Sequence, residues 1–270
     1  MPAQRVIRFL RTRCMLSIIS PSPDTRRTRV VPSATAPKVL VIAHRANRTG
    51  AEPALENSLA CTRACIANGW SVETDIRRDA AGRFYISHDP APWTPENDAA
   101  AFCAAWRDAS VTIALNIKEI GDEAQLVSYL VAQRVIDRVF LFDMELLEPT
   151  AGETARAFRA LHPTVLLGAR VSDRGERISQ ALSIECADVI WLDEFNGPWA
   201  TAHDVAELLR AGRTVYAVSP ELHGRTGDVV RARWAQLIAW GVNGICTDYP
   251  EALEAFLADR DQSCATESLT

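Results

Sequence analysis

The 270-residue chain has no run of about 18 apolar residues, so no transmembrane helix is expected. Its seven cysteines form no CxxC pair, and Cys61 and Cys65 fall one helical turn apart. That pattern excludes a disulfide framework and a zinc site, and reduced thiols in a cytoplasmic protein are expected instead. No GxGxxG follows the first predicted strand, which argues against a dinucleotide site. Basic residues are scarce outside one segment: residues 1–38 carry a net charge of +7 and the remainder −12, for −5 overall. An acidic body lacks the basic footprint of a nucleic-acid partner.

The basic leader over residues 1–38 is expected to be disordered, with Ser and Pro scattered from Ser17 to Pro37. Met15–Ile19 is too short for a secretory h-region and is broken by Ser17. An organelle-type transit peptide matches the leader in composition, and a start at Met15 explains it equally well. Residues 259–270 are expected to form a flexible tail.

Present instead are 48% hydrophobic and 23% charged residues, a globular balance, and short apolar segments alternating with helical patterns. Strands are predicted at Val39–Arg45, Trp70–Ile76, Val111–Lys118, Arg138–Met144, Val165–Ser172, Ala187–Phe195, Thr214–Pro220 and Gly241–Thr247. Helical patterns between them include Asn57–Asn68, Asp122–Val135, Ala202–Ala211 and Asp228–Trp240, the last two each followed by a capping Gly. Eight such units within residues 39–258 predict a single α/β domain, a (β/α)8 TIM barrel. Phe84–Ile86 reads as a short insertion after the second strand.

Active sites of such barrels collect at the C-terminal strand ends. Here those ends carry His44-Arg45, Glu73-Thr74-Asp75, Asn116-Ile117-Lys118, Asp143, Arg170, Asp193-Glu194, Ser219-Pro220-Glu221 and Asp248. Residues two apart share a strand face, so Glu73 converges with Asp75, and Asn116 with Lys118. If the second and third predicted strands are neighbours, two carboxylates and an amide oxygen meet, a donor set for one hard divalent cation, Mg2+ or Ca2+. Arg45 and Lys118 supply positive charge for an anionic substrate. His44 and His88 form a candidate acid–base pair. His162, His203 and His223 are given surface or capping roles, with His223 set apart because it follows the seventh predicted strand.

The run Ala43-His44-Arg45, Leu55-Glu56-Asn57-Ser58, Val72-Glu73-Thr74-Asp75, Ser87-His88-Asp89 and Thr247-Asp248-Tyr249-Pro250 resembles the glycerophosphodiester phosphodiesterase family. The similarity spans about residues 39–257 and is tightest over 42–90. It implies a (β/α)8 barrel with a divalent metal on Glu73 and Asp75, His44 and His88 as acid and base, and Arg45 and Lys118 on the phosphate. The chain departs from that pattern at Ala46, where the family has Gly, and at Asn116, where the family has a third metal carboxylate. Asp143, Asp193 and Glu194 are the rim acids that could restore the missing charge.

The expected function is therefore metal-dependent hydrolysis of glycerophosphodiesters or a related small polar phosphodiester. Two alternatives are a lyase-like phosphodiesterase that releases a cyclic phosphate and a catalytically weak phosphoryl-ligand binding protein.

Overall fold

The computed structural model describes residues 38–267, the side chains of 263–267 excepted. The predicted basic leader lies outside the described residues apart from Lys38.

Among the described residues nine strands occur: β1 Leu40–Ala43, β2 Ser71–Arg78, β3 Phe84–Ile86, β4 Ile113–Ile117, β5 Val139–Phe142, β6 Leu166–Ser172, β7 Val189–Asp193, β8 Thr214–Val218 and β9 Gly244–Thr247. Eight of them form a parallel ring in the order β1-β9-β8-β7-β6-β5-β4-β2, closed by β1 against β2. The ring is the predicted (β/α)8 barrel. The insertion folds back as β3, antiparallel to the far end of β2, with Ile76 opposite Ile86.

The helices are α1 Leu59–Ala67, α2 Ala99–Arg107, α3 Glu123–Ala132, α4 Glu153–Leu161, α5 Ile178–Ser183, α6 Ala202–Arg210, α7 Asp228–Trp240 and α8 Pro250–Glu267. Their ends carry the expected chemistry. Ser58 accepts the Cys61 N–H at the start of α1, Thr201 and Asp204 make a reciprocal capping box on α6, and Gly241 ends α7 at φ +89°. The final helix continues beyond residue 258, so residues 259–267 are helical where a tail is expected. No described helix is long and apolar enough to cross a membrane, and the described cysteines are all free thiols.

Alternation along each strand divides the apolar side chains into two clusters. Val72, Ile76, Ile113, Leu115, Val139, Leu141, Ile190 and Leu192 face the helices. Ile42, Ala114, Phe140, Phe142, Val189, Trp191, Tyr216 and Val218 fill the barrel. The interior rings are bulky, and small partners make room for them. A Cβ on Gly168 would come within 2.8 Å of the Phe142 Cβ, and one on Gly244 within 2.9 Å of the Tyr216 ring. Phe142 and Trp191, with centroids 4.4 Å apart, are the topmost of these rings and form an apolar floor beneath the C-terminal mouth.

Candidate active site

Inward positions above that floor are polar, and they line one cavity of about 310 Å³ at the strand C-termini. Glu73 and Asp75 of β2 point into the barrel because Val72, Thr74 and Ile76 face outward. Asp75 is in register with Asn116 of β4, so the predicted adjacency of these strands holds. His44, Arg45, His88, Asn116 and Lys118 all line the same cavity.

A tight turn after β1 sets the first group. Arg45 and Ala46 both adopt left-handed backbone, φ +48° and +60°, a conformation a Gly at position 46 would take without cost. The turn aims the Arg45 N–H at Glu73 Oε2, 3.0 Å away. The guanidinium of Arg45 pairs with Glu56 at 2.9 Å and reaches Asp75 at 3.7 Å. Its Nε is buried and makes no hydrogen bond.

His44 Nδ1 lies 2.8 Å from Asp248 Oδ1, and Asn47 donates to the same oxygen at 2.8 Å. A carboxylate there fixes the proton on Nδ1 and turns Nε2 toward the cavity, 3.9 Å from Glu73. Burial lowers the His44 pKa, yet the Asp248 hydrogen bond and the Glu73 charge outweigh it and hold the imidazole above its ordinary value. His88 stands at the cavity edge, with its side chain 42% exposed and Nδ1 2.9 Å from Asp89. Arg77 grips its backbone carbonyl.

The carboxylates of β2 differ in environment. Asp75 accepts from Asn57 at 2.8 Å and pairs with Lys118 Nζ at 2.9 Å. Burial raises its pKa, but these cationic and hydrogen-bonding partners bring it below the usual carboxylate range. Burial and then the Asp75 charge push Glu73 up to about 7. Asp75 takes up the cationic partners, Lys118 at 2.9 Å and Arg45 at 3.7 Å, and no Lys or Arg among the described residues pairs with Glu73.

Among the described residues no three His, Cys, Asp or Glu side chains are grouped as a metal site. Asn116, in register with Asp75, turns its Nδ2 to Glu73 Oε1 at 3.5 Å, and its Oδ1 is buried without a hydrogen-bond partner. Two carboxylates, one of them under-neutralised, and an orphaned amide oxygen suit a hard divalent cation.

The rim acids are each engaged by other partners. Asp143 accepts two bonds from Arg170, each 2.7 Å, and one from Asn116 Nδ2 at 2.8 Å. Asp193 accepts from Arg170 at 2.6 Å and contacts His223 Nε2 at 2.6 Å. Glu194 turns toward α7, where it holds Arg233. Arg170 is thus a buried bridge between the ends of β5 and β7, the strands neighbouring its own, and the surface role given to His223 is corrected, because the ring lines the cavity. Its only sequence signal was its place just after a strand. Arg174, in the loop after β6, also lines the cavity, and no local sequence pattern points to it.

No protein-family model matches the chain, and no curated protein matches it. Solved structures do. A Galdieria sulphuraria chain superposes with TM-score 0.67 at 17% identity, covering 83% of this chain and 100% of its own. A glycerophosphoryl diester phosphodiesterase from Parabacteroides distasonis gives 0.64 at 14% identity, covering 83% and 87%. An Oleispira antarctica phosphodiesterase, solved with the product sn-glycerol-3-phosphate, gives 0.60 at 17% identity, covering 81% and 96%. At such identities the likeness is one of fold.

Proposed function

We propose that the chain is a metal-dependent phosphodiester hydrolase acting on glycerophosphodiesters or a closely related polar phosphodiester. The observation that carries this reading is the convergence of the His44–Asp248 pair, Glu73, Asp75, Arg45 and Lys118 in one cavity. It comes on a fold shared with phosphodiesterases, one of them solved with sn-glycerol-3-phosphate.

Glu73, Asp75 and the Asn116 Oδ1 would hold one divalent cation, Mg2+ or Ca2+. Such an ion withdraws charge from the phosphoryl oxygens and so weakens their repulsion of a nucleophile. Arg45 and Lys118, which line the cavity beside it, would orient the phosphate. Asp248 keeps the His44 proton on Nδ1, so that Nε2 exchanges protons with the substrate. His88 serves the other end of the reaction. One imidazole takes the proton of the attacking hydroxyl, which family resemblance identifies as the one next to the ester, and the other gives a proton to the departing alcohol. A water, deprotonated by the second imidazole, then opens the cyclic phosphate while the first returns the proton to the hydroxyl oxygen. Phe142 and Trp191 below exclude water from the floor.

The test is hydrolysis of a small phosphodiester panel by the full chain, with and without EDTA, followed by separate addition of Mg2+, Ca2+ and Mn2+. Turnover of glycerophosphodiesters, lost in EDTA and restored by one of these ions, is expected. Turnover indifferent to EDTA would remove the metal, and no turnover of any diester would remove the reaction. Release of a cyclic phosphate as end product would make the enzyme lyase-like.

A further inference from the structure

The cavity carries basic side chains on two walls, and only those of one are accounted for by the scissile phosphate. Arg45 follows β1, and Arg174 follows β6. In the closed ring, β6 lies four strands from β1 in either direction, so the two arginines stand on opposite sides of the mouth. Arg45 and Lys118 are paired with Glu56 and Asp75. Arg170 is enclosed by Asp143 and Asp193. Among the described residues Arg174 makes no ion pair within 4.0 Å, although it lines the same cavity and is exposed.

Its position is nevertheless fixed. The guanidinium lies 3.7 Å from the centroid of the Phe195 ring, a stacking geometry that orders an arginine without neutralising it. Phe195 is itself pinned. Its N–H is held by Asp173 at 3.0 Å, its carbonyl accepts from Arg225 at 3.2 Å, and its ring meets His223 at 4.7 Å. Asp173, next to Arg174 in sequence, accepts the N–H groups of Phe195 and Asn196 with its two oxygens. Arg225, behind this wall, donates to the carbonyls of Phe195 and His223.

We propose that Arg174, stacked on Phe195, is a second anion-binding point, and that the preferred substrates are phosphodiesters with a further acidic group, a carboxylate or phosphate, on one alcohol. This rests on the phosphodiesterase reading, which puts the scissile phosphate against β1, β2 and β4. The second acidic group then reaches across the aromatic floor to the β6 wall. A charge-assisted, fork-shaped donor already ordered by stacking loses little freedom on binding, so it discriminates by charge.

The test compares two glycerophospho esters that differ only at the far end, one made with 3-hydroxypropanoate and one with 3-hydroxypropanamide. Wild-type kcat/KM should favour the carboxylate by about tenfold or more, as charge-assisted hydrogen bonds do. In Arg174→Gln the ratio should fall toward one, and in Arg174→Lys it should be intermediate. A wild-type ratio near one, or a preference that survives Arg174→Gln, would overturn the subsite and leave the hydrolase reading standing. If neither ester is cleaved, calorimetry with uncleavable phosphonate analogues of both decides. A carboxylate preference lost in Arg174→Gln keeps the subsite without the reaction, and equal affinities overturn it.

Discussion

Asn116 donates its amide hydrogens to Glu73 Oε1 at 3.5 Å and to Asp143 Oδ2 at 2.8 Å, while its Oδ1 has no protein donor. Asp143 is fixed in turn by two bonds from Arg170. The amide at this position is therefore matched to its neighbour as well as to the cavity. Asn116→Asp would set two carboxylates at that distance in place of a donor and an acceptor. The variant is expected to lose about 1–3 kcal/mol of stability in EDTA, the cost of a broken buried bond to a charged group. Divalent metal should recover part of it. Unfolding curves with and without metal check this, and a variant as stable as wild type in EDTA would remove the argument.

Glu73→Ala and Asp75→Ala should each abolish turnover, at a cost of about 3–5 kcal/mol in activation free energy by analogy with the loss of a preorganised electrostatic group. The measurement is kcat at saturating metal. A variant keeping more than about a tenth of wild-type kcat would clear that residue of the role.

The histidines separate by leaving group. Removal of His44 or His88 should lower kcat/KM about 10²-fold or more on an alkyl diester. On a nitrophenyl diester, which needs no proton on departure, the variant lacking the acid should recover and the other should not. Asp248→Asn removes the hydrogen bond and charge that hold the His44 pKa up. The limb of the pH–rate profile belonging to His44 should therefore move to lower pH, and equal profiles would dissociate the pair.

Arg170 compensates two buried carboxylates at once. Arg170→Met takes their shared cation from Asp143 and Asp193, leaving them Asn116 and His223, and should cost about 3–5 kcal/mol, as breaking a buried pair does. Urea unfolding is the measure, and a loss under about 1 kcal/mol would show that the bridge is not needed for stability.

Glu145, in the turn after β5, gives a pH signature. Burial, with the Asp143 and Glu148 charges adding to it, pushes its carboxyl up to about 7 from 4.5. An acid with a raised folded pKa keeps a proton that the unfolded chain has already lost, so it destabilises increasingly from about pH 4.5 to 7 and fully above. Glu145→Gln should gain about 2 kcal/mol at pH 8 and nothing at pH 4. The same gain at both pH values would mean that titration is not the cause.

By itself the sequence determined the barrel and the site's first wall. Alternation in Val72–Ile76 and Ile113–Ile117 sorts side chains by face, and local patterns such as Ser58 and Gly241 end the helices, because these depend on neighbours a few residues away. The likeness of His44-Arg45, Glu73-Thr74-Asp75 and Ser87-His88-Asp89 to one family rests on the same short-range spacing. Tertiary structure alone decided the partners separated by long stretches of chain. Asp248 lies 204 residues from His44, and His223 reaches Asp193 from 30 residues away. Arg170 draws in Asp143 from 27 residues away and Asp193 from 23. Which charges end up neutralised, and which arginine is left open on Phe195, follows from closure of the ring, which sets distances across the mouth that no local spacing encodes.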